Sequence, residues 1–113
     1  MSTITRVRNS TKRLAFKWTA TTNGASAPLD LTGMTLEILI DTEKIESVPA
    51  SPVRVATIAG VVTDAINGQA YFPITTGITG TIQTLYFEVW ATDANSETYP
   101  IDSGKLNIAG GLR

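Results

Sequence analysis

The side chains that could do chemistry here are carboxylates, hydroxyls, lysines, arginines and aromatic rings, because the 113-residue chain contains neither cysteine nor histidine. Those two zeros exclude thiol nucleophiles, Cys/His zinc sites, Ser-His-Asp triads and histidine general bases. Asp41, Glu43 and Glu46 fall in one polar stretch and could offer hard oxygens to Ca²⁺, but the stretch reads as a solvated acidic loop. Asp93–Ala94–Asn95–Ser96–Glu97 imitates half a calcium loop without its remaining ligands or turn glycine, and reads as a hairpin turn. A glycosidase needs two carboxylates about 5–9.5 Å apart in a cleft lined by aromatic rings. Trp18, Tyr71, Tyr86, Trp90 and Tyr99 could furnish a sugar platform, yet the eight aromatics of the chain barely fill a core and no long loop builds a cleft. Asn9–Ser10–Thr11 is a glycosylation sequon, which acts only in a secreted chain. No catalytic, cofactor-binding or metal-ligating residue is assigned, and the chain reads as a non-enzyme.

Charge gives a different kind of signal. Arg6, Arg8, Lys12, Arg13 and Lys17 put five of the nine basic residues in the first 17 positions, where there is no acid. The remainder holds four basic residues against ten acidic ones. A basic N-terminal segment on an acidic body suggests docking on an acidic partner, including the body of a neighbouring copy. The same basic residues also suit an edge strand guarded against aggregation. Nucleic acid is disfavoured as the partner, because five charges without aromatic interleaving give only weak, salt-sensitive phosphate binding. Met1–Ser2–Thr3 leads into polar sequence with no apolar segment behind it, so no signal peptide is expected. No run approaches the roughly 18 apolar residues of a membrane helix, and no membrane partner is assigned.

The elements that must position these residues follow period two almost throughout. Leu14, Phe16 and Trp18 alternate with polar neighbours and predict a strand over about residues 11–20. Met34, Leu36, Ile38 and Ile40 predict a second, with Thr35, Glu37 and Leu39 facing the other way. Thr22–Pro28 between them is expected to be a connector that reverses at Asn23–Gly24. Thr42–Pro52 is expected to be a loop with at most a short edge strand around Ile45–Val48. Val53–Ile58 and Val61–Thr63 flank Ala59–Gly60 as a hairpin or one bulged strand. Gln69–Ile74 predicts a strand with Ala70, Phe72 and Ile74 on one face, and Thr75–Gly80 is turn-like. Thr84–Ala91 has the strongest alternation and is expected to be central: Leu85, Phe87, Val89 and Ala91 face the core, while Tyr86, Glu88 and Trp90 point away from it. Glu97–Ile101 and Lys105–Ile108 complete seven or eight strands, which predicts an all-β antiparallel sandwich. The domain is assigned to residues 11–108, preceded by a basic arm or edge strand (1–10) and followed by a tail (109–113).

Three segments in order carry a resemblance. Pro28–Leu29–Asp30–Leu31–Thr32–Gly33–Met34–Thr35–Leu36 resembles a P-x-D-L-T-G-A-T-V turn and strand, Val61–Val62–Thr63–Asp64–Ala65–Ile66–Asn67–Gly68–Gln69–Ala70 a G-x-V-T-D-A-x-N-G-x-V hairpin, and Leu85–Tyr86–Phe87–Glu88–Val89 a Y-x-x-E-F-E-V strand. Together they resemble the immunoglobulin-like domain at the N-terminus of tailed-phage baseplate upper proteins and of small phage head and tail proteins. The resemblance implies an immunoglobulin-like sandwich in a virion structural protein. Its partners would be capsid, tail or baseplate subunits, in a homo-oligomer assembled in the host cytoplasm. The chain departs from the pattern in that no long receptor-binding extension is expected after the domain. The residues assigned to protein interfaces are Arg6, Arg8, Lys12 and Arg13, with Tyr86 and Trp90 as exposed aromatic anchors. The competing reading is a carbohydrate-binding host-adhesion module that uses surface Trp and Tyr.

Overall fold

The computed structural model describes residues 2–42 and 54–110. Among these the chain forms ten strands and one short helix: β1 (Ser2–Val7), β2 (Leu14–Lys17), β3 (Thr19–Thr22), β4 (Ala25–Pro28), β5 (Thr35–Asp41), β6 (Arg54–Ala59), β7 (Val61–Asp64), β8 (Gln69–Phe72), α1 (Thr76–Thr79), β9 (Gln83–Thr92) and β10 (Thr98–Ala109). The strands pair as a five-stranded sheet in the order β1-β10-β9-β5-β6, a three-stranded sheet β2-β8-β7 and a separate hairpin β3-β4. The protein is an all-β sandwich, and β9 is its central strand.

Alternation explains the core directly. Leu36, Ile38 and Ile40 of β5, Leu85, Phe87, Val89 and Ala91 of β9, and Leu106 and Ile108 of β10 are buried on one face of the large sheet. Leu14, Ala70 and Phe72 of the small sheet close over them, with Trp18, Leu31, Ile74 and Ile78 at the margins. Phe16 lies at the junction. Its ring is stacked on Trp18 at 5.0 Å, meets Phe72 edge-on at 5.8 Å, and reaches Phe87 of the opposite sheet at 5.8 Å.

The structure departs from the sequence expectation in four places. β1 runs parallel to β10, with Ile4 beside Leu106, so the sandwich is not wholly antiparallel. Such pairing needs no tight turn, because the N-terminal strand is joined to β10 only through the rest of the fold. The single strand expected over about residues 11–20 is split, with β2 in the small sheet and β3 pairing with β4, so the expected connector Thr22–Pro28 is part of a hairpin whose Asn23 (φ 52°) and Gly24 (φ 80°) make the positive-φ reversal, and all residues of β3 and β4 are exposed. Gly60 is neither a hairpin tip nor a bulge. There the chain leaves the large sheet at β6 and enters the small one at β7, and a Cβ would lie 2.8 Å from the Phe72 ring and 3.0 Å from Leu36. Finally, the two expected C-terminal strands are one, β10, with a bulge between Pro100 and Asp102. The bulge changes the facing of the strand, so that Pro100 pairs with Trp90 on the outer side and Asp102 with Val89 on the core side. Asp102 thereby accepts a hydrogen bond from Trp18 Nε1 at 2.9 Å, linking the two sheets. The loop expected at Thr42–Pro52 lies outside the described residues from position 43 onward.

Candidate interaction face

The outer face of the large sheet is built from the residues that alternate with the core. On β9 these are Tyr86, Glu88 and Trp90, all half-buried, on the side opposite Leu85, Phe87 and Val89. Cross-strand register sets their neighbours. Tyr86 lies between Asp41 of β5 and Lys105 of β10, Glu88 between Leu39 and Ser103, and Trp90 between Glu37 and Pro100. Leu39 is therefore diagonal to both aromatic rings, a spacing within reach of large side chains. Leu39, Tyr86 and Trp90 form an apolar centre. Glu88 stands among them, between the two rings and opposite Leu39, while Glu37, Lys105, Ser103 and Thr57 flank the group, a mixture of aromatic and polar positions found at protein interfaces.

Two polar contacts fix this surface. Trp90 Nε1 donates to Glu88 Oε1, which sets the indole along the strand. Asp41 is wholly buried and ion-paired with Arg54, whose Nε donates to Asp41 Oδ1. Burying a carboxylate is costly without a charged partner, and β6 supplies one. Glu43 and Glu46, the other two members of the acidic stretch, lie outside the described residues. The Asp93 turn does what turn chemistry predicts: Asp93 Oδ1 accepts from the backbone N–H of Asn95 (2.9 Å) and Glu97 (3.0 Å).

The basic residues are placed elsewhere. Arg6 pairs with Ile108 on the side of the sheet that faces the core, near the end where β1 and β10 finish. Its guanidinium donates to the carbonyls of Arg13 (3.1 Å), Thr5 (3.1 Å) and Lys12 (3.5 Å) and so ties the β1–β2 connection to its own strand. Arg13 lies over the Tyr71 ring at 4.3 Å, a cation–π contact. The Arg8 backbone N–H donates to Ala109, while its Nε is buried without a partner. Lys12 is exposed. The structure thus brings Arg6, Arg8, Lys12 and Arg13 together and Tyr86 and Trp90 together, but it does not merge the two groups. Trp90 lies toward the opposite end of β9. Alternation already puts Leu39 on the side away from the core, but it was not assigned to an interface; only the cross-strand register, which sets it opposite Glu88 and diagonal to Tyr86 and Trp90, brings it to the aromatic face.

Comparison with protein-family models finds no match for the chain, and comparison with curated proteins finds none either.

Proposed function

We propose that the chain is a non-enzymatic structural subunit of a tailed-phage particle, an immunoglobulin-like module that decorates the capsid or docks on the tail or baseplate. The observation that supports this most is the outer face of the large sheet: an apolar centre of Leu39, Tyr86 and Trp90, flanked by polar groups and left uncovered by the small sheet. Aromatic anchors presented on a flat, rigid sheet are characteristic of protein interfaces, and the three segments resembling phage baseplate and head–tail domains supply the context. The test is protein mass analysis of intact particles purified from the phage whose genome encodes the chain. Presence in many copies per particle supports the reading. Absence from particles, together with selective binding on a glycan array, overturns it in favour of a host-adhesion module.

A further inference from the structure

The charge asymmetry seen along the sequence becomes an axial asymmetry in the fold. At the end of the large sheet where β9 finishes and β10 begins, three turns meet. Leu31 N–H bonds to Ala65 O (2.8 Å), joining the β4–β5 and β7–β8 connections, and a Cβ on Gly33 would lie 3.9 Å from Ala94 of the β9–β10 turn. Each of these turns is headed by an aspartate that accepts local hydrogen bonds: Asp30 from Thr32, Asp64 from Asn67 and Asp93 from Asn95. Glu97 adds a fourth carboxylate, and Glu37 lies on the adjoining strand opposite Trp90. Lys17 is the basic residue at this end among the described residues. At the other end, where β1 and β10 finish, Arg6, Arg8, Lys12 and Arg13 gather. Asp41 is the acid on that side among the described residues, and Arg54 neutralises it. The ends are separated by the length of β9, roughly 30 Å for ten residues at about 3.4 Å each.

The geometry points to a second copy of this chain as the partner of each pole, with the Arg8–Arg13 end of one subunit seated against the turns headed by Asp30, Asp64 and Asp93 of the next. The two patches are complementary but not self-complementary, so the contact is heterologous: it runs head to tail and makes a ring or a filament rather than a two-fold dimer. At Asp30 the hydrogen bonds accepted from the Thr32 hydroxyl and backbone N–H favour the ionised carboxylate. Patches of opposite sign also steer encounter and set orientation, with an attraction that weakens as the Debye length shortens. This inference rests on the reading of the chain as an assembly subunit.

The test is sedimentation velocity on the purified full chain with two exposed-surface variants. Lys12→Glu/Arg13→Glu cancels the charge of the basic end, leaving Arg6 and Arg8 against two glutamates, and Asn95→Lys/Glu97→Lys sets two lysines against Asp30, Asp64 and Asp93 at the opposite pole. The wild type should show an average mass that rises with concentration in low salt and returns to monomer in about 0.5 M salt, where the Debye length falls to a few ångströms. Each variant alone should remain monomeric, with a melting temperature close to that of the wild type. An equimolar mixture should associate again, as pairs, because the unaltered acidic pole of the first variant meets the unaltered basic end of the second. A wild type that stays monomeric throughout, or variants that fail to restore association when mixed, overturns the inference. Abundant copies in particles with no association in solution would remove the head-to-tail contact and leave the assembly role standing. Association in solution with absence from particles would do the reverse.

Discussion

The contact between Trp18 and Asp102 makes the strongest stability prediction, because a single bulge in β10 creates it. Were the same residues paired without the bulge, Ile101 would lie opposite Val89 and Asp102 opposite Glu88 on the outer face, and the indole N–H at the end of β2 would have no acceptor. Trp18 is 8% exposed, so Asp102→Ala leaves a nearly buried donor unsatisfied. It also removes a hydrogen bond to a charged acceptor and the contact from the Ser103 backbone N–H at 2.8 Å. A charge-assisted bond contributes about 1.5–3 kcal/mol, and an orphaned buried donor costs about 1–3 kcal/mol. Because Asp102 is only half-buried and water can partly replace it, we expect a loss of about 3 kcal/mol rather than the sum. For a domain of this size that lowers the melting temperature by about 12 °C. Asp102→Asn keeps a neutral acceptor and should lose about 1 kcal/mol. Thermal unfolding followed by circular dichroism gives the stability. Indole emission in a Trp90→Phe background reports Trp18 alone, and should shift to longer wavelength in Asp102→Ala as water reaches the ring. An Asp102→Ala protein within about 0.5 kcal/mol of the parent, with unchanged emission, refutes the claim that this bond joins the sheets.

Phe87→Ala, at a position 2% exposed beside Phe16, should cost about 3–5 kcal/mol in chemical denaturation. Gly68 has φ +69°, and an added Cβ would lie 2.5 Å from Trp18 O and 2.7 Å from Leu29 O, so Gly68→Ala should lose about 3 kcal/mol or more by the same assay; a near-neutral result would refute the close approach. Trp90→Ala should shift the melting temperature by only a few degrees yet release the protein from particles, whereas a drop comparable to that of Phe87→Ala would make Trp90 a core residue. Asp30 is held below its ordinary carboxyl value by the Thr32 hydroxyl and then by the Thr32 backbone N–H. With the folded value depressed, its contribution is present above the unfolded value and fades only as pH falls through the folded one. In an NMR titration Asp30 should therefore protonate below the ordinary aspartate range, and Thr32→Val should move it back upward.

The parts of the fold legible in the sequence are those where one strand carries enough alternating residues to declare both its faces. Residues 34–40 and 84–91 do so, and their inward members are the buried core of β5 and β9. The all-β sandwich followed from them. β1 was harder to place, since Ile4 is the one residue of Thr3–Val7 that packs on the core cluster, and such a segment pairs where a free edge accepts it. β10 looked like two strands because Asp102–Ser103–Gly104 reads as a polar interruption, although in the fold Asp102 turns inward and Gly104 is buried opposite Phe87. Turn aspartates were recognised one by one. Their collection at a single end of the sheet depends on topology, which unites residues as distant in sequence as Asp30, Asp64 and Asp93.

The basic residues show how one stretch of chain can serve both the fold and its surroundings. Arg6 spends its guanidinium on three backbone carbonyls, so it belongs to the fold, whereas Lys12 stays exposed and free to meet a partner. Replacing Arg6 should therefore loosen the β1–β2 connection, and replacing Lys12 should not. The aromatic face on β9 lies outside this division, because its side chains leave the sheet in the direction opposite to Arg6. On the proposed assembly role, such a chain engages one neighbour through its ends and another through its flat face. Glu37, opposite Trp90, belongs both to the acidic pole and to the margin of the aromatic face, so changes at that pole should couple to Trp90→Ala, whereas changes at Lys12, toward the other end of the sheet, should act nearly additively with it on assembly.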